Sequence, residues 1–397
     1  MTELHPYHQT LYNDLFRLTE TNEAFYFRDN IKDDITYRIF TYRLASYSDF
    51  LLPSALECRG IMFEMSHDVP IRLASMPMAK FFNYKENPLT MDVNFHGCRQ
   101  IMYKMDGSLI STFLHKGEVY FKSKTALYSD HAIAAAAYAM SVVPEVNEDA
   151  ETSLYDEFKV LEHFGYTINC EFTSPVYPFR IVVGYQETFL TVLNVRNRAT
   201  GQYLTLDEVH CVLNYYYGNC NFRCITDHWI ETIPVEDDYI DTFIASIDAM
   251  VGIEGFVIEL QDGMLVKIKT DWYRALHHVK DSINCMRRLF EAVLEETTDD
   301  LRAMLYDDPA SLTRINDMEV KVVHIHNSTV NNVERFYETH VHMDRKEYAI
   351  AGQKELTHME FGLAMNKYVG KPVDYKATIK KNYKAFGIED EVVETEE

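Results

Sequence analysis

The chain has 397 residues, 47% hydrophobic and 13% aromatic, which is enough apolar material for two or three packed domains and excludes a disordered chain. Its formal charge of -23 excludes a protein that holds nucleic acid by bulk electrostatics, because counterion release needs cations facing phosphates; a local basic groove on an acidic body stays open. Seven cysteines without framework spacing, and a polar stretch over residues 1–13, predict a reduced cytoplasmic setting, and no apolar run approaches membrane-spanning length.

Leu11, Leu15, Phe16 and Leu18 recur at helical spacing and predict a helix over residues 8–20. Residues 25–28 and 35–42, rich in aromatic and β-branched side chains, predict strands. In Glu57-Cys58-Arg59-Gly60-Ile61-Met62-Phe63-Glu64, strand alternation puts Arg59, Ile61 and Phe63 on one face. A buried Arg59 then needs an anion, and Glu57 or Glu64 is the structural choice. Lys80-Phe81-Phe82-Asn83 sets two phenylalanines between a lysine and an asparagine; they are core, or one stacks on a base.

Tyr103-Lys104-Met105-Asp106-Gly107-Ser108 follows a turn-like His96-Gly97-Cys98-Arg99 and precedes an alternating strand over residues 109–113. Lys104 is either a surface lysine before an Asp-Gly hairpin turn or an amine nucleophile. The second reading requires burial or neighbouring cations to pull its pKa below the usual value of about 10.4.

Tyr120, Lys122 and Lys124 share a strand face that suits either phosphate or solvent. An alanine-rich helix over residues 130–142 and an acidic surface loop over 145–151 follow. Glu171, in a strand segment leading into residues 180–183, and Glu254, after a helical run over 237–250, are carboxylates in apolar strands. Nucleotide hydroxyls, a metal ion or a lysine ammonium would each satisfy them. From Met264 onward, alternation sends Met264, Val266 and Ile268 to the core and Leu265, Lys267 and Lys269 to the other face. The two lysines need a shared anion such as a triphosphate, and their charge would also lower the pKa of Lys104.

Beyond residue 280 the texture turns helical. Ile283, Met286, Leu289, Phe290, Val293 and Leu294 follow the capping candidates Asp281 and Ser282, and similar periodicity runs over 318–336 and 352–368. Lys376, Lys380, Lys381 and Lys384 form a basic helix-like stretch that meets either a phosphate backbone or water, and the acidic residues 389–397 are expected to fray. His210, Cys220, Cys224 and His228 are a zinc set by type but not by finger spacing. His324, His326, His340 and His342 suggest a metal by type alone, and a polar helix surface is the simpler reading.

In order, Lys104-Met105-Asp106-Gly107, Cys170-Glu171-Phe172, Ile253-Glu254-Gly255-Phe256 and Lys267-Ile268-Lys269 resemble the motifs of the covalent nucleotidyltransferases, which include polynucleotide ligases and messenger RNA capping enzymes. The flanks, among them Tyr37-Arg38-Ile39-Phe40, Glu57-Cys58-Arg59-Gly60, Lys80-Phe81-Phe82-Asn83, Phe121-Lys122-Ser123-Lys124 and Lys269-Thr270-Asp271-Trp272-Tyr273, are similar to the bacteriophage RNA ligase 1 family over roughly residues 35–280. The resemblance implies an α+β protein: a nucleotidyltransferase (adenylyltransferase) domain over 1–280 built on antiparallel sheets with flanking helices, then an all-α domain over 281–397 that helps select a transfer RNA. It implies an ATP-dependent RNA ligase working with Mg²⁺ through a lysyl-AMP intermediate and an RNA-adenylate. The substrate would be RNA with 5′-phosphate and 3′-hydroxyl ends, such as a nicked tRNA anticodon loop, repaired by a monomer in the cytoplasm, the host's if the chain is viral.

By the same resemblance Lys104 is the nucleophile, with Arg59, Lys80, Lys267 and Lys269 on the phosphates and Lys124 close by. Glu171 holds the ribose hydroxyls, and Phe82 lies near the adenine. Glu254 binds metal or orients the nucleophile, and Asp106 stands near the transferring phosphate as a second metal carboxylate. Tyr42 and Tyr273 match further nucleotide-binding positions. Residues 174–179 are longer than the family's rim and residues 206–229 diverge. The alternatives are a DNA ligase or guanylyltransferase, which would place a small β-barrel where this chain has helices, or a catalytically idle RNA-binding relative.

Overall fold

A computed structural model describes residues 4–142, 153–176, 179–218 and 224–389. The acidic loop at 145–151, Cys220 of the zinc candidates and nearly all of the acidic end lie outside the described residues. The chain divides into two compact units, one running to Arg274 and one beginning at Ala275.

The first unit is built on three sheets. Strands β1 (Phe25–Lys32), β2 (Ile35–Tyr42), β3 (Ile61–Ser66) and β4 (Val69–Ser75) form an antiparallel meander. The opening helix Pro6–Thr21 starts on a proline, whose missing N–H costs nothing at a first turn. It lays Leu11, Tyr12, Leu15 and Leu18 on this sheet, against Phe25, Phe40 and Phe63. Further strands are β5 (Phe82–Asn83), β6 (Gln100–Lys104), β7 (Ser108–His115), β8 (Glu118–Lys122), β9 (Tyr166–Thr173), β10 (Phe189–Asn197), β11 (Tyr203–Leu204), β12 (Gly255–Glu259) and β13 (Leu265–Lys269). The second sheet has the order β11-β10-β9-β7-β8 and the third β5-β13-β12-β6. Helices Asp130–Ser141, Leu154–His163 and Leu206–Tyr217 cover the second sheet, supplying Ala135, Phe158, Leu161 and Leu213 to its core. The third packs Phe256, Ile258, Val266 and Ile268 against Ile240 and Ile247.

The second unit is helical among its described residues: Met286–Leu294, Thr298–Met304, the long Pro309–His340, Arg345–Glu355, His358–Tyr368 and Tyr375–Lys381. Asp281 and Ser282 are not caps as expected; they lie inside the helix Asp271–Asn284, and the next helix is led by Cys285. The periodic stretch 352–368 is two helices, because Thr357 and Glu360 form a capping box that starts a new one. Among the described residues no helix is long and apolar enough to cross a membrane.

Three local expectations change, and one open alternative is closed. Arg59 is not on a strand; it sits on the turn after the 3₁₀ segment Ala55–Glu57, and β3 begins only at Ile61. Residues 180–183 are loop, not strand. Lys122 is fully buried and donates to the Ser123 carbonyl at 2.9 Å, so of the two lysines on that stretch only Lys124 reaches the cavity described next. Lys104 does not precede a hairpin: β6 belongs to the third sheet and β7 to the second, so residues 104–107 cross from one sheet to another.

Candidate active site

Strand register gathers the motifs. Across the third sheet Gly255 stands opposite Lys104 on one side and Lys269 on the other, in one row over β6, β12 and β13. Glu254, one residue before that row, directs Oε1 to both amines, 2.9 Å from Lys104 Nζ and 3.1 Å from Lys269 Nζ. Such close approach requires glycine at 255: φ is +148°, and an added Cβ would lie 1.9 Å from the Ile268 carbonyl oxygen. Across the second sheet Leu109 faces Glu171 and Ser108 faces Phe172, which brings Glu171 beside the crossover. The Gly107 N–H donates to Glu171 Oε1 at 3.1 Å.

These groups line a cavity of about 300 Å³. Its cations are Arg59, Lys80, Lys104, Lys124, Lys267 and Lys269, and its carboxylates are Asp106, Glu171 and Glu254. Tyr42 and Tyr273 join them, while Met78, Phe81, Ile181, Leu193, Ile230 and Val257 supply apolar wall. Every residue assigned to the site by resemblance is brought here except Phe82. That side chain is buried in the first sheet's core near Phe50, and its neighbour Phe81, just ahead of β5, lines the cavity instead.

The structural partners foreseen for Arg59 are taken. Arg196 holds Glu57 at 2.7 Å and Arg72 holds Glu64 at 2.6 Å. Arg59 Nη1 is buried and has no hydrogen-bond partner among the described residues, a cost that a bound anion would remove. Lys124 and Lys80 lie over the Tyr42 ring at 4.6 and 5.5 Å. Burial raises the Tyr42 phenol, but Lys124, Lys80 and Arg59 outweigh it and hold the group below its ordinary range.

The charge state of the central amine differs from expectation. Burial acts to lower Lys104, but the carboxylates of Glu254, Glu171 and Asp106 outweigh it and leave the ammonium favoured. The lowered lysine is Lys267, brought to about 7 by burial and by Lys80, Lys104, Lys269 and Arg59. Glu171 is pushed up to about 7, first by burial, with the Glu254 charge adding to it. Asp106 is raised by burial and by Glu254 against the hydrogen bonds it accepts.

Apart from Tyr273, those bonds involve residues that no sequence pattern marks. Asp106 Oδ2 accepts from the N–H groups of Val182 and Val183, each at 2.7 Å, and Oδ1 accepts from the Tyr273 hydroxyl at 2.7 Å. The Asp106 N–H donates to the Tyr185 hydroxyl at 2.8 Å.

The other candidates do not gather. His210 bonds Thr226, while His228 bonds Cys224 and Tyr138. Among the described residues no three histidine, cysteine, aspartate or glutamate side chains are grouped to hold a metal ion. Lys376 pairs with Glu296, and Lys380 with Glu291 and Glu295, so part of the basic stretch is already neutralised.

The antiparallel first unit, its lysine-lined cavity and the helical second unit agree with the family matches. Residues 57–273 match the family described as RNA ligase, and residues 280–390 match the T4 RNA ligase 1 C-terminal domain; the chain belongs to the RNA ligase family. A Thermovibrio ammonificans protein with a provisional RNA ligase name is 24% identical over 328 residues, 81% of this chain and 79% of that protein. Among solved structures, an archaeal ATP-dependent RNA ligase shares 12% identity at a TM-score of 0.41, covering 82% of each chain. Naegleria gruberi RNA ligase with PPi shares 13% at 0.37, covering 54% of this chain and 65% of that one. The chain spans about half, 51%, of the Naegleria gruberi ligase solved with ATP and Mn.

Proposed function

We propose that this chain is an ATP-dependent RNA ligase that joins a 5′-phosphate to a 3′-hydroxyl. The observation that carries the reading is the row of Lys104, Gly255 and Lys269 over Glu254, opening on a cavity whose cations outnumber its carboxylates and include an Arg59 nitrogen unsatisfied among the described residues. In the first step the Lys104 ammonium gives up a proton to solvent, and the neutral amine bonds to the α-phosphorus of ATP. The bond from that phosphorus to the oxygen bridging to the β-phosphate breaks, pyrophosphate leaves, and the amine releases its proton. AMP next passes to the RNA 5′-phosphate and frees the lysine; the 3′-hydroxyl then attacks and AMP departs. Lys267 and Lys269 would carry the charge at the transferring phosphate, with Arg59, Lys80, Lys124 and Tyr42 along the leaving group, because such transfer is mainly positioning and charge neutralisation. Glu171 would hold the ribose hydroxyls, and Phe81 takes the place expected of Phe82 beside the base.

Mg²⁺ fits the donor set. Glu171 and Asp106 are both raised in part by the charge of Glu254, a repulsion that a dication relieves. Since among the described residues no three donors stand ready to chelate an ion, Mg²⁺ would come with the nucleotide, held by Glu254 and Asp106 together with phosphates and its own water. Its chemistry there would be charge neutralisation at the phosphates and repulsion of the Lys104 ammonium, which favours the neutral amine.

The second unit would select the RNA, with a nicked tRNA anticodon loop as the substrate and a monomer as the working form. Residues 1–280 are assigned to adenylyl transfer and 281–397 to that selection. A guanylyltransferase or an idle relative is separated by one experiment. Incubation with Mg²⁺ and α-labelled ATP or GTP, then denaturing electrophoresis, is expected to leave label on the protein from ATP alone. Label from GTP, or from neither nucleotide, would overturn the reading.

The lowered Lys267 gives a second expected result. At pH 8 its amine is mostly neutral in the free protein, since its pKa is about 7. Triphosphate stabilises the ammonium and raises that pKa, so binding takes up a proton; the uptake vanishes at acid pH, where the lysine is already charged. Calorimetry of ATP binding without Mg²⁺, in two buffers of different ionisation enthalpy, reads the sign. Proton release at pH 8, or an unchanged uptake in Lys267→Arg, would contradict the assignment.

A further inference from the structure

The crossover that carries Lys104 has ladder partners at its ends but not in its middle. Lys104 pairs with Gly255 in one sheet and Ser108 with Phe172 in another, while Met105 and Asp106 lie between the two ladders. Something else must fix the backbone there, because a lysine side chain rotates freely about four bonds and its reach depends on where its Cα is held.

What does so is the loop over residues 181–185. It sends two N–H groups to one Asp106 carboxylate oxygen and takes the Asp106 N–H on the Tyr185 hydroxyl, while Tyr273 occupies the other oxygen. Asp106 is 3% exposed, so these bonds form away from competing water. The same loop places Ile181 in the cavity wall. A nucleotide resting on that wall therefore presses on the segment that holds the nucleophile's backbone.

We propose that Tyr185 is a positioning residue for the first chemical step, acting through the Asp106 backbone to aim Lys104, and that the loop over residues 181–185 couples nucleotide seating to that aim. This deepens the ligase reading and rests on it. Tyr185 touches neither ATP nor RNA in this scheme. Its loss spares the chemistry of a strand that already bears AMP on its 5′-phosphate, because sealing such a strand needs no attack by Lys104.

The test is Tyr185→Phe in the full chain, which keeps the ring and removes the hydroxyl. Single-turnover labelling by ATP is expected to slow about tenfold or more, the scale of a nucleophile displaced by a fraction of an ångström. The ATP concentration for half-maximal rate should change little, and sealing of synthetic pre-adenylylated RNA should proceed near the wild-type rate. Equal loss of labelling and pre-adenylylated sealing would mean a merely structural role and overturn the proposal, as would labelling at the wild-type rate. Asp106→Asn is the second variant. Its amide oxygen still accepts from Val182 and Val183 and its N–H still reaches Tyr185, so it should label faster than Asp106→Ala; equal rates would count against the clamp. If wild-type protein forms no adduct with ATP, the ligase reading has failed, an outcome distinct from a wild type that labels and a Tyr185→Phe that labels equally well.

Discussion

Lys104→Ala is expected to form no covalent adduct with labelled ATP while remaining folded. Lys269 stands on the opposite flank of Gly255, and the change removes the attacking nitrogen from the β6 side. Its structural cost is small, because Glu254 keeps Lys269 at 3.1 Å and the β6 ladder to β12 is made by backbone groups. A stability change within about 2 kcal/mol is expected, read by thermal or denaturant unfolding. The informative contrary outcome is an adduct that persists. Lys267 is the lysine of the cavity driven nearest to neutrality, so label on Lys104→Ala would point to Lys267 as the nucleophile and reverse the roles of the two amines.

Gly255→Ala should be the most damaging small substitution in the site. The new methyl would stand 1.9 Å from the Ile268 carbonyl oxygen and 2.9 Å from the Lys269 Cα, both backbone atoms that no rotamer change can move. Alanine also resists the +148° φ at this position. Either β12 and β13 separate or the row slips, and both outcomes carry Lys269 away from Glu254 and Lys104. Stability is expected to fall by several kcal/mol, and the fraction still folded should label at least about a hundredfold more slowly. Melting and single-turnover labelling near wild-type values would show that the row tolerates rearrangement and is not the device that aligns the amines.

Much of this site could be read in the residues before any coordinates. Alternation alone separated Val266 and Ile268 from Lys267 and Lys269, because one face of β13 is buried and the other lines the cavity. The order of the motifs named the chemistry. Other features were hidden for physical reasons. Met62 and Phe63 are buried on opposite faces of β3, so alternation there says nothing, and Arg59 was placed on a strand that starts two residues later. Phe81 and Phe82 are the same residue type side by side at the start of a two-residue strand, so their sequence does not say which one enters the cavity. Tyr185 lies on an irregular loop, where periodicity carries no signal. The direction of the Lys104 shift was missed because strand pattern gives a face, not a distance. Lys267 and Lys269 share its cavity, yet Glu254, Glu171 and Asp106 exert the larger effect.

The passage of residues 104–107 from one sheet to the next has a consequence for length. Its two ends are registered independently, Lys104 against Gly255 and Ser108 against Phe172, so the intervening peptides act as a ruler cut to the gap between two separate hydrogen-bond lattices. Inserting or deleting one amino acid there could not be absorbed as it would be in a surface turn. It would slide β7 by one position along β9 and invert which of its side chains look inward, so chain length between these anchors matters as much as the chemistry of the residues themselves.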